Sequence, residues 1–408
     1  MKRLFLAICL MLLLISCSDD KDDNTRKEVS LTVSEEQIMS AQNENSFSVF
    51  RAFNANEQKD VNILISPLSL NINLSMVANG ASGETFGQLL KMTSGSEDGE
   101  SINLLNSFND KMRKSLPALD KTVKFYSVNS VWIDNEFPVL STFVDNCSKY
   151  YGGTAKNVNL SSVTAKDEIN TWCSKNTNGL IPEFLDDPFS SSVKFAAFNA
   201  TYFKGLWKFK FNKKNTKTAT FTNFDETTST VDMMSNVDDY AYSETEDYQC
   251  VKCPYGNEAF NMYIILPKQT SSADNIINNL NNDAWKSMMP KSVWTVRLKL
   301  PKFKVEYDSK DLLREVLSKM GVTDMFSAEK ADFSGISTQH NYMSMLKQKT
   351  AIIVDEEGTE VAAVTGDGLM TSPGVEIIKE MTVDRPFIYI IQESSTGAVL
   401  FMGKVNKL

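Results

Sequence analysis

A hydrolase needs a nucleophile, a base within reach and a group that orients the base. This chain of 408 residues offers one imidazole, His340, inside the polar stretch SGISTQHNYM, where a surface histidine is the simpler reading. No HExxH, GxSxG or phosphate-cradling glycine loop occurs. Cys250-Val251-Lys252-Cys253 has redox or metal spacing. There is no second CxxC, however, and a tetrahedral site would need Cys147, Cys173, Cys250 and Cys253 brought together. Two thiols on a strand are the plainer reading, with their disulfide state left open, and neither a metal nor a cofactor is expected. Asp186-Asp187 and Asp238-Asp239 read as solvated loop charge. The chain is poorly equipped to be an enzyme.

It is better equipped to be acted upon. DEEGTEVAAVTGDGLMTSPG, from Asp355 to Gly374, separates two segments that read as buried strands. Loops this long without structure of their own are uncommon and usually functional or disordered. Thr359, Val361, Ala363 and Thr365 are uncharged and not bulky, and on a strand they share one face. No proline occurs from Lys302 to Ser372, and proline is what a central strand excludes. The segment is chemically suited to be either a loop or a strand.

The elements around it follow from periodicity. Ser34 and Gln37 have capping-box spacing before a helix that sets Phe47, Phe50 and Phe53 on one face. The run from Asn62 reads as a strand that turns at Ser66-Pro67 into a helix. Val123 to Ile133 and Phe195 to Phe211 read as strands, with a helix between them stopped at Gly179. Asp308 to Met320 reads as a helix closed by Gly321. Val375 to Val383, Phe387 to Ile391 and Ala398 to Met402 read as strands. Helices early and strands late favour an α+β fold in one large domain, 36–408.

A net charge of −9 with no basic run argues against a nucleic-acid surface. Lys2 and Arg3 precede an apolar run from Leu4 to Ile15, too short to span a bilayer and suited to a secretory signal. Leu14-Ile15-Ser16-Cys17 resembles a bacterial lipoprotein cleavage site, which implies residues 1–17 as signal and a lipid on Cys17. The charge-dense stretch that follows predicts a solvated tether over 18–35. It also resembles a surface-export signal, so an outer-membrane, surface-exposed location is expected. A plain cleaved signal peptide is the alternative, and either way the mature protein is outside the cytoplasm.

Glu356-Glu357-Gly358-Thr359-Glu360-Val361-Ala362-Ala363 resembles the reactive-loop hinge of the serpins. The resemblance covers nearly the whole chain after residue 35. It includes NILISPLS from Asn62, NATYFKGLW from Asn199, GVTDMF from Gly321, ADFSGI from Ala331, and DRPF from Asp384 followed by LFMGKV from Leu400. It implies three β-sheets surrounded by eight to nine helices and a monomer. It further implies suicide inhibition of a serine protease, or possibly a cysteine protease, held as a covalent complex. Ser66, Ser69, Asn199 and Gln348 would form a polar cluster where the main sheet parts, and Trp207 would pack beneath the point where the loop first inserts. The family commonly has His at the Gln348 position and Ala at the Val361 position. Counting forward from Gly358 puts the scissile bond at Ser372-Pro373, a poor substrate because of the proline, and counting back from Pro386 gives Val375; the expected bond therefore lies within Leu369, Met370, Thr371 and Ser372, with Met370-Thr371 favoured. This suits elastase-, chymotrypsin- or subtilisin-like targets. The same fold used as a non-inhibitory binding or structural protein is the competing reading, and Asp367, on the inward register, is its one supporting residue.

Overall fold

A computed structural model describes residues 24–96, 101–179, 181–359 and 377–408. Residues 24–32 run along the body. The Asn24 amide donates to the Asp120 carboxylate at 2.9 Å, and the backbone N–H of buried Val29 donates to the Ser395 hydroxyl. The described part of the expected 18–35 tether is therefore held by specific polar partners that its composition does not reveal.

Helix α1 (Val33–Asn56) begins at Thr32, whose hydroxyl accepts from the Glu35 N–H while the Glu35 carboxylate accepts from the Thr32 N–H. This capping box lies two residues before the Ser34/Gln37 pair, whose identical spacing falls inside the helix. Phe47, Phe50 and Phe53 are all buried, as their spacing requires. Strand β1 (Ile63–Ile65) passes into α2 (Pro67–Ala78), where proline sits in the first turn and no donor is missed. Every residue of α2 is buried, so the sheets wrap around this helix. α3 (Gly83–Ser94) and α4 (Ser101–Ser115) pack beside it. Then come β2 (Val123–Asp134), α5 (Ser141–Tyr151), β3 (Thr154–Val158) and α6 (Val163–Asn176). The last helical residue of α6 is Asn176; Thr177 returns both its N–H and its hydroxyl to the Cys173 carbonyl, and Gly179, at φ +79°, closes the end with its N–H on the Ser174 carbonyl.

β4 (Phe195–Leu206) leads to the hairpin of β5 (Lys217–Thr222) and β6 (Thr228–Glu244), then β7 (Tyr248–Pro254) and β8 (Phe260–Pro267). The short helices α7 (Ala273–Asn278) and α8 (Asn282–Met288) precede β9 (Val293–Pro301) and β10 (Phe303–Asp308). α9 (Leu312–Lys319) starts four residues later than its periodicity suggests, since Asp308 closes β10. β11 (Met345–Val354), β12 (Gly358–Thr359), β13 (Lys379–Thr382), β14 (Phe387–Glu393) and β15 (Val399–Val405) complete the described chain.

One sheet has the order β10-β11-β12-β4-β2-β3. The other runs β1-β15-β14-β8-β7-β6-β9-β13, with β5 also on β6. Three sheets merge into two by hydrogen bonding because β6 is long: Ala241–Glu244 pair with β7, while Met233–Ala241 pair with β9. Asp238 and Asp239 therefore sit in a strand rather than a loop, with Asp239 on its exposed face. Cys147, Cys173, Cys250 and Cys253 are free and buried. Burial pushes the Cys147 and Cys173 thiols up to about 12, and those of Cys250 and Cys253 still further, so none is a ready nucleophile.

Candidate functional site

β4 and β11 run parallel and pair from Ala196 with Met345 to Tyr202 with Ala351. Beyond that point they part, and β12 fills the gap. Gly358 stands opposite Leu206, and Thr359 stands between Gly205 on β4 and Val354 on β11. The first two small residues of the hinge are thus already strand. Gly358 has φ +156°, and a Cβ there would lie 2.0 Å from the Gly205 carbonyl oxygen, so only glycine fits. The turn before it is closed by Asp355, whose carboxylate accepts the N–H groups of Glu357 at 2.9 Å and Gly358 at 3.3 Å.

Trp207 lies directly beneath this turn. It is buried, its indole N–H donates to the Asp355 carbonyl at 2.9 Å, and its backbone N–H donates to the Glu357 carbonyl. Its ring stacks on Tyr255 with centroids 4.4 Å apart, and the Tyr255 hydroxyl meets the Thr359 hydroxyl at 2.8 Å. Both hinge glutamates that are described are buried and paired. Glu356 accepts from the Thr216 hydroxyl at 2.8 Å and faces Lys302 at 3.2 Å; Glu357 faces Lys210 at 3.1 Å and Lys213 at 3.5 Å. Burial pushes the Glu356 carboxyl upward, but its backbone hydrogen bond, Thr216 and Lys302 together outweigh burial and hold it below the ordinary value.

The polar cluster assembles at mid-sheet. Gln348 and Asn199 are register partners on β11 and β4. The Gln348 side-chain oxygen accepts the Ser66 N–H at 3.0 Å, and its amide donates to the Ser66 carbonyl at 3.0 Å and to the Asn199 oxygen at 2.7 Å. The Asn199 amide donates to the Ser69 hydroxyl and, at 2.8 Å, to the Asn129 oxygen. The Ser69 hydroxyl meets that of Ser127 at 2.5 Å. All four expected residues come together, and the network extends to Asn129 and Ser127 on β2. Each of the four has at most 3% exposure, so every lost bond leaves a group that water cannot satisfy.

Sequence reasoning misses Tyr255, Thr216, Lys210, Lys213 and Lys302. Lys210 and Lys213 carry a faint signal, standing within six residues of Trp207; the others are joined only by the fold. His340 is exposed, its ring Nε2 at 2.7 Å from the Ala328 carbonyl. Glu360, Val361, Ala362, Ala363, the scissile-bond candidates Leu369, Met370, Thr371 and Ser372, and Cys17 lie outside the described residues.

A family model described as Serpin (serine protease inhibitor) matches residues 40–408. A serpin-like protein of Methanosarcina acetivorans is 30% identical, with 99% of this chain and 98% of the relative covered. Leukocyte elastase inhibitor A of Mus musculus is 32% identical over 91% of this chain and 99% of its own. Among solved structures, the native state of tengpin, a thermophilic serpin, matches with a TM-score of 0.82 at 30% identity, covering 94% of this chain and 97% of that one.

Proposed function

The chain belongs to the serpin family and has its α+β fold, and from that premise we propose that it inhibits proteases as a suicide substrate. A target protease attacks the segment that follows β12. Once the loop is cut, its N-terminal part inserts between β4 and β11 as a new strand, carrying the covalently attached enzyme with it and distorting that enzyme's active site.

The observation that carries this reading is Gly358–Thr359 seated in the gap between β4 and β11. Continued in the same register, Val361 would stand between Phe203 and Ile352, Ala363 between Thr201 and Thr350, and Thr365 between Asn199 and Gln348. Thr365 would then meet the polar cluster with a hydroxyl that can both donate and accept. Roughly a dozen new backbone hydrogen bonds, at about 0.5–1.5 kcal/mol net each, do not exceed the entropy of ordering as many residues, at about 1–2 kcal/mol each. Apolar burial and relief of a sheet lacking one strand must supply the difference, so the resting form is kinetically trapped.

The target is an elastase-, chymotrypsin- or subtilisin-like serine protease, or a cysteine protease of similar preference. No Arg or Lys lies between Gly358 and Ile378, and the similarity to a mouse leukocyte elastase inhibitor supports the same specificity. In one observation the non-inhibitory reading keeps its ground. Asp367 would stand between Ala197 and Leu346, both buried, where an unpaired carboxylate is costly. Mixing the protein with an elastase-like protease should give a complex that survives denaturing electrophoresis, and mass spectrometry of the released fragment should place the cut at Met370-Thr371. Absence of any such complex across the three protease classes would leave the non-inhibitory reading. We also propose that the mature chain is a monomer anchored to the outer membrane through lipid on Cys17. Cys17→Ser should then move it from the membrane fraction to the soluble fraction.

A further inference from the structure

Inhibition as proposed gives no role to the positive charge gathered at one end of this acidic chain. No Asp or Glu occurs from Pro188 to Phe224, whereas Lys204, Lys208, Lys210, Lys213, Lys214 and Lys217 fall within fourteen residues. They are spaced too widely to read as a run, and the fold brings them together. After β4 the chain turns over Trp207, packs against the hinge turn and enters β5 at Lys217. Acids answer only part of this charge. Lys208 pairs with Glu258, Lys210 and Lys213 share the one carboxylate of Glu357, and Lys302 faces Glu356. Lys214 and Lys217 are exposed and have no acidic partner among the described residues.

The described chain begins at this same end. The Asn24 side-chain oxygen accepts the Lys121 N–H at 2.9 Å, and Asp120, which Asn24 also binds, accepts the Asn257 N–H at 2.8 Å, one residue before Glu258. Arg26 and Lys208 both act on the half-buried Lys252. Burial lowers the Lys252 ammonium, Glu258 opposes that, and Arg26 and Lys208 lower it further. Three cations therefore crowd one carboxylate, with Glu28 at 3.6 Å from Arg26 as the further acid and exposed Lys27 as a further cation. Six residues, 18–23, separate Asn24 from Cys17, a reach of about 25 Å at full extension.

We propose that this end docks on the anionic headgroups of the membrane that holds the anchor, with Lys27, Lys214 and Lys217 as its contacts. The preference for a membrane over a soluble polyanion rests on the proposed lipid at Cys17, which keeps headgroups within reach however the body turns. Each lysine brought to an anionic surface raises partition roughly fivefold. Residues 18–23 carry four Asp against Lys21 and oppose docking, so the lysines have to outweigh them. Because Lys210 and Lys213 hold Glu357 in the hinge turn, a body docked this way carries β12 at the lipid surface. Under the inhibitory reading, the proteases it meets are those that work there.

The Cys17→Ser chain, which cannot carry the lipid, separates the surface from the anchor. It should sediment with vesicles of phosphatidylglycerol and phosphatidylcholine in equal parts at least tenfold more than with phosphatidylcholine alone, and high salt should release it. Lys214→Gln with Lys217→Gln should weaken this binding at least tenfold. Lys175→Gln with Lys330→Gln, exposed lysines on other elements, should leave it unchanged, and Asp22→Asn with Asp23→Asn should strengthen it. In the full lipidated chain, the anionic vesicles should protect Lys214 and Lys217 from amine acylation at least threefold relative to neutral ones, and should not protect Lys175 or Lys330. Equal binding to both vesicles, or no effect of Lys214→Gln with Lys217→Gln, would overturn the surface. So would binding to soluble polyphosphate with none to vesicles. Anionic-vesicle binding by a protein whose parent form carries no lipid on Cys17 would leave the surface standing and defeat the anchor reading instead.

Discussion

Gln348 uses both ends of one amide to close the sheet, accepting from Ser66 and donating to Ser66 and Asn199. Gln348→Ala should cost about 1–3 kcal/mol for each buried partner left unsatisfied, seen as a lower urea midpoint and faster loss of inhibitory capacity on storage. An unchanged midpoint would show that the cluster does not hold the strands together. Glu356 sets a pH dependence at the same scale. Its carboxyl is held below the ordinary value, so its contribution is fully present above about pH 4.3 and is lost as pH falls through the depressed value. Acidification below that point should loosen the turn over Trp207 and change its fluorescence, and Glu356→Gln should remove that part of the acid response.

β12 is only two residues long, yet under the proposed mechanism it is the point from which insertion would proceed. Gly358→Ala places a methyl against the Gly205 carbonyl and should expel β12. Limited proteolysis would then cut near the hinge of this variant and not of the parent. Thr359 is fully buried under Tyr255. Thr359→Arg should therefore turn the protein from inhibitor to substrate, cleaved by an elastase-like protease without a stable complex. If that variant trapped protease as well as the parent, insertion through this gap would be the wrong mechanism here. The ion pairs of Glu356 and Glu357 with Lys302, Lys210 and Lys213 tie the turn to two separate stretches of chain, so the hinge is held from outside as well as from within the sheet.

For the whole molecule, the proposed mechanism requires a resting sheet that can accept another strand. Cutting the loop with catalytic amounts of an elastase-like protease should raise the calorimetric unfolding temperature, because the freed segment completes the six-stranded sheet with apolar burial as well as hydrogen bonds. A nicked form that unfolds at the temperature of the intact one would contradict a kinetically trapped native state.

Much of this was legible in one dimension, because local patterns report local structure. Phe47, Phe50 and Phe53 marked a buried helical face and Ser66-Pro67 marked the strand-to-helix turn; of the alternation of small residues that begins at Thr359, only Thr359 itself is among the described residues, and it is strand. Local rules also misplaced details where two solutions were equally good locally. Thr32/Glu35 and Ser34/Gln37 have the same capping chemistry, and only the docking of residues 24–32 onto Asp120 and Ser395 selects the earlier one. What the tertiary structure alone decided is how far β12 enters the sheet and what holds it. Tyr255 lies 104 residues from Thr359 and Thr216 lies 140 from Glu356, and no periodicity spans such distances. Those partners meet because β4 and β11 part beyond Tyr202 and Ala351, and it is that separation in space, not any run of residue types, that makes the slot.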